Sequence, residues 1–164
     1  MRRGRAGNSF VEAALFLPFL LLLLVGMVQI GKITFVYYTL KKTLYAAATY
    51  LASQQGVDFC GGADASIEAA KAFALTGVTD GSAEPQIPNL TADRIVVATE
   101  CVDPFSGAVG PCGTGGCGTP AGGPRPDFIV VSIADGYQML PRVPFVTLDA
   151  VALRPVVRVP FGGT

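Results

Sequence analysis

The feature of this sequence that most constrains its fold is an uncharged apolar run near its start. Residues 13–28 read AALFLPFLLLLLVGMV, and the apolar character extends from Phe10 to Ile30, interrupted only by Glu12 and Gln29. An α-helix rises about 1.5 Å per residue, so roughly 20 apolar residues cross the hydrocarbon core of a bilayer. We therefore predict a transmembrane helix over residues 8–31.

The charges beside this run predict its orientation. Arg2, Arg3 and Arg5 precede it, and basic residues next to a span favour the cytoplasmic side, so the rest of the chain should face outward. A cleaved signal peptide is the competing interpretation. The run is longer than the usual apolar region of about 7 to 15 residues, and the first small-residue site, at 46–48, lies well beyond its end. Twin-arginine export is a weaker competitor, because arginine pairs are common in basic tails, and we expect a retained single-pass anchor.

Composition argues against enzymatic activity. The chain has no His and no Trp, and His is the side chain most often used for proton transfer near neutral pH and a common metal ligand. The formal net charge is zero, and no basic patch indicates nucleic acid as a partner. We expect no cofactor, no metal and no nucleic acid.

The cysteines lie beyond the apolar run, at positions 60, 101, 112 and 117. An even number of cysteines in an exported segment predicts disulfides, so Cys60, Cys101, Cys112 and Cys117 are all candidates. Three pairings exist and the sequence does not decide among them. Without histidine, a zinc site would need all four thiolates, which makes disulfides the preferred interpretation.

Glu12 allows a more specific interpretation of the anchor. An ionisable group at the edge of a bilayer suggests function, although a position at the headgroup level would cost little. Residues 5–12 read RAGNSFVE, so a basic leader ends at Gly7 and a Glu follows five residues later. This segment resembles the prepilin peptidase site of type IV pilin-like proteins. With the VEAAL at 11–15, Pro18 and the leucine run, residues 1 to 60 resemble the TadE/TadG-like minor pseudopilins of the tight-adherence pilus.

The resemblance implies roles for three residues and a set of partners. Cleavage between Gly7 and Asn8 would remove residues 1–7 as a leader and expose an α-amino group on Asn8. The Glu12 carboxylate would neutralise that amine on a neighbouring subunit, because two opposite charges in a low dielectric are costly singly and tolerable as a pair. The implied partners are the inner membrane, a prepilin peptidase and other pilins or pseudopilins of the same system.

The function implied is that of a structural minor pseudopilin. It would sit in the bacterial inner membrane with a cytoplasmic N-terminus and a periplasmic head, and take a place in a pilus or related secretion apparatus. One alternative is an unprocessed bitopic envelope protein whose head binds a periplasmic partner. A membrane-tethered enzyme or metal protein is an alternative from another class.

Beyond the membrane, helical periodicity continues through residues 32–57, predicting that anchor and extension form one helix. Its apolar positions recur at spacings of three and four: Ile33, Tyr37, Leu40, Leu44, Ala48 and Leu51. A second helix is predicted over 64–76, with Asp64 as its N-cap and Gly77 as its stop. The remaining head, residues 58–164, should contain this helix and a sheet.

Strand patterns predict an antiparallel sheet and hence an α+β fold with a long N-terminal helix. Residues 95–102 and 128–134 are rich in β-branched side chains, and a third strand is expected within 151–159, where Pro155 implies an edge or a bulge. The Gly- and Pro-rich segment 103–126 is predicted to be an exposed hairpin loop. It lacks the G-K-[ST] of a phosphate-binding loop.

Overall fold

The computed structural model of this protein describes residues 6–60, 64–112, 125–143 and 146–162. Helix α1 spans Ala6–Ser53, 48 residues in one uninterrupted element that includes Pro18. At about 1.5 Å per residue it is about 70 Å long. The expected single helix running from the anchor into the head is therefore present.

The C-terminal part of α1 forms one wall of the hydrophobic core. Leu40, Leu44 and Leu51 are completely buried, and the spacing of these leucines places them on one face of the helix. Tyr37, predicted on the same face, is instead exposed, whereas Val36 packs against the core. The head thus uses α1 itself as its central element.

Helix α2, Ala65–Thr76, packs against this part of α1. Asp64 is its N-cap, and the carboxylate accepts a hydrogen bond from the Ser66 amide at 2.7 Å. Gly77 ends the helix in the left-handed conformation, φ 81°, with its amide donating to the Phe73 carbonyl. The helix buries Ile67, Ala70 and Ala74, and the two small alanine side chains permit close contact between the helices. The predicted cap and stop are both confirmed.

The strands follow a short 3₁₀ turn at Ala92–Arg94. Within the described residues they are β1 Ile95–Val102, β2 Val109–Pro111, β3 Phe128–Ile133, β4 Tyr137–Met139, β5 Arg142–Val143, β6 Val146–Thr147, β7 Val151–Leu153 and β8 Val156–Pro160. Four of them form an antiparallel sheet in the order β2-β1-β3-β8. Its inner face contributes alternate residues to the core, including Ile129, Val131 and Val157. The predicted α+β class is confirmed.

The other four strands form a ribbon between β3 and β8. Strand β4 pairs with β7 and β5 pairs with β6, both antiparallel. Because β3 also pairs with β8, the chain runs out along one side of the ribbon and returns along the other. We call residues 137–153 the arm, described at 137–143 and 146–153.

A corner at Asp135 and Gly136 directs the chain from β3 into the arm. Both residues have positive φ, 58° and 72°. The Arg94 guanidinium holds this corner by donating to the Gly136 carbonyl at 2.7 Å and to the Ala134 carbonyl at 3.4 Å. A Cβ on Gly136 would lie 2.9 Å from the Leu153 carbonyl oxygen, so the returning strand approaches the corner too closely for a side chain.

Two expectations about the sheet need correction. The predicted strand at 151–159 is divided at Arg154 and Pro155 into β7 and β8, which belong to different sheets, because proline has no amide to donate to a ladder. The predicted loop 103–126 contains strand β2, which pairs with β1 through Val109 to Pro111. Residues 113–124 of that loop lie outside the described residues.

Candidate functional site

The residues predicted to act in processing and assembly lie on the first turns of α1. Gly7 and Asn8 have helical backbone, and Glu12 follows one turn later as an exposed residue. Asn8 and Glu12 are four positions apart, a spacing that places two residues on the same face of a helix. The structure therefore brings Gly7, Asn8 and Glu12 together on one short helical segment, and their roles stay predictions.

The part of α1 that follows Glu12 is apolar on all sides and stays exposed as far as Leu24. Every residue from Phe10 to Leu24 is exposed; for example, Phe10 is 79% exposed and Leu20 62%. The most apolar 18-residue window has a mean hydropathy of 2.5 and none of it is buried. A soluble protein rarely exposes so large an apolar surface, and a helix apolar all round is typical of membrane spans. The helix is long and apolar enough to cross a membrane once. We call residues 10–24 the bare segment.

The head contacts α1 at Gln29. Its side-chain amide donates to the backbone carbonyl of Arg142 in β5, 113 positions away, at 2.5 Å. Farther along α1, Ile33 and Val36 are partly buried against the core, and Leu40 is completely buried. The contact at Gln29 thus marks the boundary between the bare segment and the head.

The exposed aromatic residues of α1 lie beyond this boundary. Phe35 is 72% exposed and Tyr38 65%. Together with Phe73 and Gln86 they line an open groove of about 500 Å³ between α1, α2 and the following loop. Tyr50 instead packs on Phe73, with ring centroids 6.0 Å apart. Tyr50 thus contributes to packing within the head, while Phe35 and Tyr38 remain on the surface.

A disulfide joins Cys101 to Cys112. It connects β1 to the residue that directly follows edge strand β2, next to the backbone pair formed by Cys101 and Gly110. Cys60 is disulfide-bonded as well, and Cys117 lies outside the described residues. No cluster of three or more His, Cys, Asp or Glu side chains that would suit a metal ion occurs in the described ranges.

The carboxylates with shifted pKa values serve in turns and caps. The Asp58 amide, followed by the Ser66 amide, lowers the pKa of Asp64 by donating hydrogen bonds to its carboxylate, despite an opposing effect of burial. The amides of Ser106 and Phe105 likewise lower the pKa of Asp103 in the turn after β1. Both groups stabilise local backbone through their charged form, which is a structural role.

Sequence reasoning missed the two polar contacts that position the arm. Gln29 was recognisable as an interruption of the apolar run, but nothing local indicated a partner more than 100 positions away. Arg94 directly precedes the predicted strand 95–102, and nothing in the sequence indicates that its guanidinium holds the corner at Gly136. A polar side chain inside an otherwise apolar stretch is the signal that would have suggested the first contact.

Comparison with known families places one segment of the chain. Residues 7–49 match the family model described as TadE-like protein. The match begins at Gly7, includes Glu12 and the whole bare segment, and ends within the core-forming part of α1. It covers about a quarter of the chain. The resemblance to TadE-like proteins is thereby confirmed for this segment, which is consistent with a protein associated with the tight-adherence system. No curated protein and no solved structure matches the chain.

Proposed function

We propose that this chain is a structural minor pseudopilin of a tight-adherence type IV pilus or a related secretion apparatus. It is anchored in the bacterial inner membrane by residues 8–31, with its N-terminus in the cytoplasm and its head in the periplasm. A prepilin peptidase cleaves between Gly7 and Asn8. The mature protein then joins other pilins or pseudopilins of the same system, and it has no enzymatic activity.

One observation carries this proposal: the family match at residues 7–49 coincides with a helix segment that the head leaves bare. The match includes Gly7 and Glu12, and the residues from Phe10 to Leu24 are all exposed. A segment that is apolar on all sides needs a bilayer or other apolar helices around it. Both environments are expected of a subunit that moves from a membrane into a pilus.

The packing of α1 supports a retained anchor over a cleaved signal peptide. The small residues at 46–48 were the nearest candidates for a signal peptidase site, yet Ala47 is 1% exposed and Ala48 is completely buried. Cleavage there would separate Leu40 and Leu44 from the rest of the core, to which both contribute fully buried side chains. Loss of such large buried side chains typically costs about 2–5 kcal/mol each.

The first test is the N-terminus of the membrane-extracted protein, measured by intact mass and peptide sequencing with and without a co-expressed prepilin peptidase. We expect a start at Asn8 only when the peptidase is present. Gly7→Ala should block this cleavage, whereas Gly4→Ala, which alters a glycine three residues upstream in the same leader, should not. A start at Met1 under both conditions would refute processing and favour the unprocessed bitopic alternative. A start near Ala48 would show that α1 is a signal peptide.

The second test concerns the assembly charge. Glu12→Gln keeps the size of the side chain and removes the charge, so we expect normal cleavage after Gly7 but loss of incorporation into assembled pili. Incorporation is measured by immunoblotting of pili sheared from cells that express the whole system. The matched control is Glu68→Gln on the exposed side of α2, where the carboxylate pairs with Lys71. Equal incorporation of both variants would refute the role of Glu12.

A further inference from the structure

The arm between β3 and β8 runs along α1 toward its membrane-spanning part. Tyr137, at the base of the arm, lies beside Val36 and Thr39 of α1, and its hydroxyl donates to the Pro88 carbonyl at 3.0 Å. Farther out, the backbone carbonyl of Arg142 accepts the hydrogen bond from the Gln29 side chain. These two contacts lie about seven residues apart on α1, roughly 10 Å along the helix axis, and the contact farther out on the arm is the one nearer the bare segment.

This direction brings the arm to the level of a bilayer surface. An apolar run from Phe10 to Ile30 spans roughly 30 Å, the thickness of a hydrocarbon core. Gln29 therefore lies at the outer boundary of that core. The headgroup layer adds roughly 5–8 Å on each side, so most of the arm between Arg142 and Tyr137 falls at its depth.

The arm carries the side chains that such a position favours. Leu140 is 63% exposed and Leu148 44%, although Met139 and Leu153 of the same arm turn into the core. Arg142 is exposed at the same level and supplies a cation where anionic headgroups lie. Exposed leucines beside a cation are well accommodated at a lipid–water interface, where apolar side chains reach the acyl boundary and basic groups meet the headgroups.

We propose that the arm is a membrane-surface contact, in which Leu140 and Leu148 enter the interfacial layer of an anionic bilayer and fix the height of the head above it. The hydrogen bond from Gln29 to Arg142 holds the arm at that depth. This placement rests on the membrane anchor of the proposed function, and it does not depend on cleavage after Gly7 or on pilus assembly.

The absence of tryptophan from the chain provides a clean test. The full-length variants Leu140→Trp, Phe105→Trp and Phe19→Trp are each reconstituted in vesicles of phosphatidylethanolamine and phosphatidylglycerol containing brominated phosphatidylcholine. Phe105 is 98% exposed in the turn after β1. Ile95, at the other end of β1, pairs with Ile133 next to the corner where the arm starts. At about 3.3 Å per strand residue, the length of β1 places Phe105 about 20 Å or more farther from the arm than Ile95. Phe19, in the bare segment, reports insertion of α1.

We expect Leu140→Trp to lose about half of its emission to bromine and to emit at shorter wavelength, because tryptophan partitions to the interface. Phe105→Trp should keep its full emission, and Phe19→Trp should be quenched in either case.

Equal, weak quenching of Leu140→Trp and Phe105→Trp, with Phe19→Trp quenched, would overturn the membrane contact and leave the anchor intact. A shift of Leu140→Trp that depends on protein density rather than on bromine would assign the arm to a second copy of the chain and also overturn the proposal. An unquenched Phe19→Trp would overturn both the contact and the anchor.

Discussion

Two parts of helix α1 differ in burial: one is exposed along its whole length, and the other forms part of the hydrophobic core. From Phe10 to Leu24 every side chain of α1 is exposed, whereas from Leu40 to Ala52 the helix supplies six buried residues to one core. Both parts are rich in leucine or alanine and belong to one continuous element. The difference is that the second part is amphipathic and has polar residues such as Lys41 and Lys42 on its outer side, while the first is apolar all round.

The comparison shows that helix formation and burial have separate causes in this chain. Good helix formers extend α1 through both parts, so the backbone is the same. A one-sided apolar stripe allows a small head to cover the helix, while an apolar surface on all sides is too wide for such a head and requires a lipid or helical surrounding. The contact of Gln29 with Arg142 marks the change between the two environments.

The largest expected effect comes from truncating one leucine in each part. Leu44 is completely buried and Leu20 is 62% exposed. Leu44→Ala should lower the free energy of unfolding of the head by about 2–5 kcal/mol, because it leaves a cavity in the core. Leu20→Ala should change it by less than about 0.5 kcal/mol. Denaturant unfolding in detergent, followed by the near-ultraviolet circular dichroism of the tyrosines, measures both. Similar losses would show that the two parts are not independent.

An intermediate effect is expected at the corner that starts the arm. Gly136→Ala should cost about 1–3 kcal/mol, because φ is 72° and the new Cβ would lie 2.9 Å from the Leu153 carbonyl oxygen. Gly107→Ala is the matched control, with a φ of 69° and nothing within 4 Å of its Cβ. Hydrogen exchange should show lost protection in the arm for Gly136→Ala alone. Equal effects at the two glycines would mean that positive φ, rather than the close approach, is responsible.

The smallest expected effect concerns the N-cap of α2, the helix that packs on the covered part of α1. Asp64→Ala should lower the free energy of unfolding by about 1 kcal/mol, since it removes the N-cap. The hydrogen bond from the Asp58 amide, followed by that from Ser66, lowers the pKa of Asp64 in the folded state. The stabilisation is therefore complete above the pKa of the unfolded chain and is lost as the pH falls through the lower pKa of the folded state.

Denaturation curves of the native chain and Asp64→Ala at several pH values test this sign. The difference between them should be largest near neutral pH and should shrink on acidification. Asp80→Ala is the control for size: Asp80 also has a lowered pKa, from the Ser82 amide and hydroxyl, so the same sign is expected, but it caps no helix and its loss near neutral pH should be smaller. A difference for Asp64→Ala that grows as the pH falls would contradict the assignment.

The elements that the sequence predicts are those with a local signal. Helix α1 follows from its apolar run and periodicity, α2 from Asp64 and Gly77, and strands β1 and β3 from β-branched residues. Strands β2 and β4 to β7 are only two or three residues long, too short for a periodic pattern, and their pairing depends on contacts with distant segments. The corner held by Arg94 is non-local in the same way.

The residues of the candidate site also differ in whether their sequence signal is local. Gly7, Asn8 and Glu12 are recognisable because the pattern is contiguous, and the structure adds that they share the first turns of one helix. The disulfide between Cys101 and Cys112 was one of several pairings, since cysteine spacing does not determine which strands become neighbours. The contact of Gln29 with the arm could not be predicted, because it needs the path of the chain across 113 positions.

The absence of any break in α1 between its bare and covered parts has a mechanical consequence. A helix that is continuous from Ala6 to Ser53 and also forms one wall of the core couples the anchor directly to the head, and Pro18, which donates no backbone hydrogen bond, lies on the far side of this connection, in the bare segment. Rotation of the helix between Pro18 and the head turns the head with it, and a pull along the helix axis acts on the buried leucines Leu40, Leu44 and Leu51. Under the proposed membrane anchorage, the facing direction of the head therefore follows the orientation of the spanning segment.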